Sequence, residues 1–230
     1  METRSAARST LMEEVKVLED IYNYPKPQYG QYKPTTFIVA CEDGSVNDVK
    51  FLIAGHVARG DSKRELLEKF GFNSEASYWG QVNPLMAAAG GFNYEVVRYL
   101  IGERVNISAR DHVWDHNALD VLCGQIPYII NDEYGLAQSV RSFRLRNASK
   151  IMEILLQNMS DKDINHEAGK GEWYPFTPLD TMLSWYTPSL TYLGDPRTKD
   201  REKIMKPFID MLIRAGARRS EHNQREFDAR

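Results

Sequence analysis

Cysteine is scarce in this chain: Cys41 and Cys123 are the only two in 230 residues. Two thiols cannot build the disulfide framework on which small secreted domains rely, so a reducing compartment is expected. Long apolar runs are also missing. No stretch approaches the roughly 20 residues that cross a bilayer as a helix, and Met1 to Thr10 is polar, without the apolar centre of a signal peptide. These absences predict a cytoplasmic protein with no membrane partner. A charge excess of one sign is lacking too. The formal net charge is −3, too small to imply a polyanionic partner. What remains is an ordinary soluble composition, 42% hydrophobic and 27% charged, in a chain long enough for one solenoid or one large globular domain.

Catalytic constellations are absent as well. His112 and His116 stand four positions apart, with Asp111, Asp115 and Cys123 nearby. A zinc site needs such ligands at fixed distances, but this stretch reads as a turn, where residues four apart need not share a face, and no metal site is assigned. Gly169-Lys170-Gly171 has neither the spacing of a phosphate loop nor a strand before it. No G-x-S-x-G elbow occurs. A reactive cysteine needs an exposed, electropositive setting, whereas both cysteines follow apolar residues in helical segments and read as packed core thiols. No catalysis, cofactor or metal is therefore expected.

What is present is a repeating pair of short helices. The clearest copy runs from Asn83 to Ile101. Pro84 suits the first helical position, where its missing N–H costs nothing. Ala87, Ala88 and Ala89 give a small-residue face, Gly90 and Gly91 break the helix, and Glu95 opens a second one with Val96, Val97, Leu100 and Ile101 at helical spacing. A pair this small cannot bury its own apolar faces and needs similar neighbours. Thr35 to Cys41 followed by Asp48 to Ile53 repeats the pattern, and Thr35 to Leu52 spans the same seventeen positions as Asn83 to Leu100. Third and fourth copies open at Asn117-Ala118-Leu119-Asp120 and Thr177-Pro178-Leu179-Asp180, with second helices at Lys150–Leu156 and Ile209–Ala217. Cys41 and Cys123 hold the same place in two copies.

The pattern resembles the ankyrin repeat, with its T-P-L-H-x-A opening, its aliphatic second helix and its terminal Gly-Ala. The His of that opening is replaced by Ile38, Met86, Asp120 and Asp180. The resemblance implies an all-α, ankyrin-type solenoid of about four helix-turn-helix units. It would form a single domain over residues 1–230: cap and linker over 1–33, repeats with insertions over 34–217, and a charged, frayed tail over 218–230. Thr10 and Glu13 have capping-box spacing, predicting a capping helix from Leu11 to Tyr22 with Leu11, Val15, Leu18 and Tyr22 on one face. Pro25, Pro27 and Pro34 then favour an extended linker.

Three insertions are expected. Ser62 and Glu65 again have capping-box spacing, and with Leu66, Leu67 and Phe70 they predict one extra short helix, which Gly71 can end. A second insertion, roughly Gly124 to Asn147, should contain a separate helix from about Asp132 to Phe143, with Arg141, Arg144, Arg146 and Lys150 making its end basic. The third, marked by Thr187, Pro188, Gly194, Asp195 and Pro196, reads as a loop. Pro207 should start or kink the last helix.

The resemblance also implies a partner surface, made from hairpin tips and the exposed side of the first helices. Carried over position by position, the first unit supplies Gln31, Tyr32, Pro34, Glu42 and Asp43. The second supplies Trp79, Gly80, Val82, Gly90 and Gly91. The third supplies Val113, Trp114, His116, Gly124 and Gln125, and the fourth Trp173, Tyr174, Phe176, Ser184 and Trp185. All four tryptophans of the chain fall in this set, and Trp and Tyr are the residues that most often carry binding energy when exposed. The expected partner-binding residues are Tyr32, Glu42, Asp43, Trp79, Trp114, His116, Gln125, Trp173, Tyr174 and Trp185, and the expected partner is a protein or peptide. Two other readings stand beside this one: nucleic-acid binding through the basic stretch from Arg141 to Lys150, and an enzyme whose site is built from the insertions.

The alignment makes one prediction about packing. Ala88 and Ala40 should meet between neighbouring first helices, so Ala88→Leu should overpack that contact and cost roughly 1–3 kcal/mol. Chemical denaturation measures it; an unchanged midpoint counts against the alignment.

Overall fold

Each unit begins where a small polar residue stops the chain from being extended and starts a helix. A computed structural model describes this for residues 4–22, 35–71, 81–130, 136–169, 176–186, 197–221 and 223–224. Among them the protein is all helical, with two isolated β-bridges and no strand. The chain divides into two compact units, Met1–Asp111 and His112–Arg230.

The first unit holds α1 (Arg4–Ile21), α2 (Thr36–Asp43), α3 (Val46–Arg59), α4 (Lys63–Glu68), α5 (Pro84–Gly90) and α6 (Tyr94–Gly102). First helix packs on first helix, α2 on α5, and second on second, α3 on α6. Ala40 and Ala88 are both fully buried, as the repeat alignment requires. Ile38 and Met86, which replace the ankyrin histidine, are also buried core residues. The turn between α5 and α6 is tied to the end of α2. Asn93 Nδ2 donates to the carbonyls of Cys41 (3.2 Å) and Gly44 (2.7 Å), satisfying acceptors that a helix C-terminus leaves open. Gly91 lies so close there that a Cβ would come within 2.4 Å of the Glu42 carbonyl oxygen.

The capping helix differs from expectation at its start. It begins at Arg4, so Thr10 lies inside α1 and does not cap it. The face is as expected: Val15 is fully buried, and Leu11, Leu18 and Tyr22 are half-buried. α1 packs on α3, with Gly55 of α3 so near Val15 that a Cβ would clash at 2.4 Å. Tyr22 Oη donates to Asp48 Oδ2 (2.8 Å), and Asp48 with Ser45 forms the capping box of α3. Ser62 caps the extra helix α4 by accepting from Glu65 N, as its spacing predicts. Gly71 does not end that helix; Lys69 does, and Gly71 pairs with Val82 across the following loop.

The second unit holds α7 (Ala118–Ile130), α8 (Gln138–Asn158), α9 (Asp161–Ile164), α10 (Pro178–Tyr186) and α11 (Arg197–Arg214). α7 packs on α10, α8 on α11, and α7 on α8. Here the second insertion departs from the sequence reading. Of the separate helix expected from Asp132 to Phe143, the described part, Gln138 to Phe143, belongs to the start of α8. α7 continues through Pro127 to Ile130, and α8 is one continuous helix that already begins at Gln138. Nothing between Gln138 and Asn158 is Gly or Pro, so no residue breaks it. α11 likewise starts ten positions before Pro207 and runs through it. The loop expected over Thr187–Pro196 lies outside the described residues.

The expected frayed tail is anchored at its root. Ser220 is 1% exposed, and its N–H donates to Asp180 Oδ2 (2.8 Å), while Arg219 Nε reaches Asp180 Oδ1 (3.3 Å). Asp180 also accepts from Thr177 N (3.2 Å), which closes a capping box on α10 with Asp180 N donating to Thr177 Oγ1. Burial alone would raise its pKa. The hydrogen bonds from Ser220, Asn223 and Thr177 outweigh burial and hold the carboxyl below its ordinary value. A folded pKa below the unfolded one, about 3.9, means the stabilisation is complete above that pH and is lost as pH falls through the lower folded value. Asp180→Asn is therefore expected to cost roughly 1–3 kcal/mol near neutral pH. The gap to the parent protein should shrink in acid, as thermal melts across pH would show. A gap that persisted undiminished in strong acid would contradict the assignment.

Candidate functional site

The third helix pair opens with Asn117, whose side chain is fully committed. Its Oδ1 accepts from Leu119 N (2.8 Å) and Asp120 N (3.1 Å), and its Nδ2 donates to the Asp163 carbonyl (3.0 Å). Asp120 returns the bond, accepting from Asn117 N (2.9 Å). This box fixes the start of α7 and so fixes the turn before it, His112 to His116. That turn is also held from the other side. Gly169 N donates to the Trp114 carbonyl (2.8 Å), and His166 Nε2 lies 2.9 Å from the Asp115 carbonyl and 3.2 Å from its carboxylate. Asp115 has φ of 64°, a left-handed conformation that Asp tolerates better than most residues. Beyond Gly169, the bridge between Ala168 and Phe176 brings the chain back to the start of α10.

Between these elements lies a cleft of about 360 Å³ lined by Trp114, His116, Asp120, Ala168, Gly169, Phe176 and Thr181. It is open to solvent at Phe176, which is 37% exposed. Trp114 and His116 are half-buried. Two of the expected partner-binding residues, Trp114 and His116, are thus brought together in one concave feature.

The other expected residues fall elsewhere. Trp185 is half-buried on α10 and packs against Tyr128 of α7, ring centroids 5.7 Å apart and planes tilted by 58°. That is the sideways packing of one helix on its neighbour. Gln125 is 8% exposed and Glu42 9%, so both are corrected from groove edge to buried positions. The close approach of Gly91 to Glu42 is the reason for the second. Asp43 is exposed at the end of α2. Tyr32, Trp79, Trp173 and Tyr174 lie outside the described residues.

Several cleft residues were missed from sequence. Ala168 and Gly169 carry no chemical signature, and only the backbone pairing with Phe176 brings them to Trp114. A signal for Asp120 did exist, in the Asn-x-x-Asp spacing repeated as Thr-x-x-Asp at Asp180, but it reads as a cap and not as a cleft wall.

Neither cysteine offers a nucleophile. Both are fully buried, and burial pushes both thiols well above the ordinary value, with Asp120 adding to the effect at Cys123. Among the described residues no group of His, Cys, Asp or Glu is placed to hold a metal ion, and no helix is long and apolar enough to cross a membrane.

The ankyrin repeat family model matches residues 81–112, the stretch that includes α5 and α6. No curated protein matches the chain.

The burial of the thiols gives a direct test. Ellman's reagent should react slowly with the native protein and release two thiols on unfolding, because only thiolate attacks and only exposed sulfur is reached. A thiol that reacts fast in the native state would contradict the packing.

Proposed function

We propose, from the premise that this is an ankyrin repeat protein, that it is a protein-interaction module that binds a partner protein or peptide and catalyses no reaction. The observation that carries the proposal is the cleft of about 360 Å³ between Trp114 and Phe176. It is concave, walled by aromatic rings, and framed by backbone that capping boxes and bridges hold in place. A preorganised scaffold of this kind lowers the ordering cost of binding. Aromatic anchors in a pocket are where binding energy concentrates, and exposed apolar surface on a soluble protein marks interaction sites.

The cleft is concave and of limited volume, so it suits an extended peptide or a protruding loop better than a flat surface. His116 and Asp120 supply its polar character. The two cysteine thiols are buried away from the cleft surface and supply it no nucleophile.

The test is affinity. A partner isolated with the full chain and identified by mass spectrometry should bind Trp114→Ala more weakly by about 2 kcal/mol or more if the ring is an anchor. The stability of the variant should change much less, since the ring is only half-buried. Phe176→Ala should weaken binding in the same direction. Unaltered affinity in both variants would remove the cleft from the proposal.

A further inference from the structure

The continuous α8 exposes a surface that the cleft does not use. Its buried residues, Ala148, Ile151, Met152 and Leu155, all lie in its second half. The first half carries Val140, 41% exposed, and Phe143, 59% exposed, three positions apart and so on one face. From Gln138 to Met152 the helix holds Arg141, Arg144, Arg146 and Lys150 and no acidic residue. In a heptad register Val140 and Phe143 take positions a and d, and Asn147 the next a. Arg144 and Arg146 then fall at e and g, one on each flank of the seam.

We propose that this face docks a short acidic amphipathic helix of a partner protein, apolar along its seam and with Glu or Asp flanking it. The seam from Val140 to Asn147 is about 10 Å long, a stretch that two turns of helix cover. The charges choose the occupant. A second copy paired antiparallel would set Arg144 against Arg144 and Arg146 against Arg146, and a parallel copy would bring four guanidinium groups to one short seam without a carboxylate, which disfavours self-association. A polyanion such as nucleic acid meets a chain whose net charge is −3 and gains little from Val140, which cannot stack on a base. A helix with acidic flanks satisfies both the apolar pair and the arginines.

The probe is a fluorescent three-heptad peptide with Leu at a and d and Glu at e and g, whose own like charges oppose pairing with itself. The full chain should bind it and should not bind the matched peptide with Lys in place of Glu. Phe143→Ala should weaken binding about tenfold or more. Arg144→Glu with Arg146→Glu should abolish binding of the Glu peptide and create binding of the Lys peptide. Melting midpoints of the Phe143 variant and of Arg146→Glu alone should stay near the parent's, because Phe143 and Arg146 are exposed, whereas Arg144 is half-buried. The proposal is overturned if the Glu peptide does not bind, or if both peptides bind equally. It is also overturned if oligo-dT or phosphatidylcholine/phosphatidylserine vesicles bind through Phe143 and Arg146 while the Glu peptide does not.

Discussion

The structure depends on one constraint: its first helices are too short to stand alone. α2 has 8 residues and α5 has 7, below the roughly 12–15 at which isolated helices become even marginal in water. They persist because each is packed along its length, and α5 is also clamped at its start. Pro84 and Asn83 begin α5, with Asn83 Oδ1 accepting from Met86 N at 2.8 Å, and the alanine face of α5 lets α2 approach closely. Packing of this kind is all or nothing for the pair. Removing a neighbour exposes Leu85, Met86 and Ala88 together, and no local interaction compensates for that area.

The recurring clamp is an aspartate three positions after a Ser, Thr or Asn. It appears at Ser45–Asp48, Asn117–Asp120, Ser160–Asp163 and Thr177–Asp180. Each satisfies helix N–H groups that would otherwise be open, and each places a negative charge at the positive end of the helix dipole. In two cases the same residues also reach across to the next element: Asn117 to the Asp163 carbonyl, and Asp180 to Ser220. The helix start and the contact between successive pairs are therefore set by the same side chains, and the turns in between inherit fixed positions. That is what holds the turn at Trp114 in place.

Period and face were legible in the sequence because both are written in apolar side chains. The seventeen-position spacing, the buried pair Ala40 and Ala88, and the buried Val96, Val97 and Leu100 all follow from helical periodicity. Boundaries were less legible. Capping boxes are usually read from Glu, which gave Ser62 correctly and Thr10 incorrectly, while the four aspartate boxes went unread. Thr10 fails as a cap because Arg4 to Ser9 holds no helix breaker, so the helix simply starts earlier. The insertion before Asn147 read as a separate helix because Gly124 and Pro127 look like breakers. Both are buried in α7, where packing overrides their low helix propensity. Of the site, the place of Trp114 and His116 was legible from the repeat. The burial of Gln125 and Glu42 was not, since it depends on which neighbour covers each.

The side chains that build the scaffold and those that remain exposed form nearly separate sets, and this bears on how the protein can be altered. Asp180, Asn93 and Asn117 have several partners each, and losing any of them leaves buried polar groups open, a cost felt by the fold. The rings of Phe143 and Phe176 are exposed to 59% and 37%, although the backbone of Phe176 bridges to Ala168. Retaining a large apolar side chain in water gives no folding free energy and invites aggregation. Both rings sit beside polar groups that could orient a partner: Arg144 and Arg146 in one case, His116 and Asp120 in the other. The two surfaces differ in chemistry, one flanked by arginines on a helix and one a cleft walled by Trp114 and Phe176 with His116, so a single partner chemistry does not suit both. The fold permits that division, because each surface belongs to its own turn or helix and can change without moving the caps that start the helices.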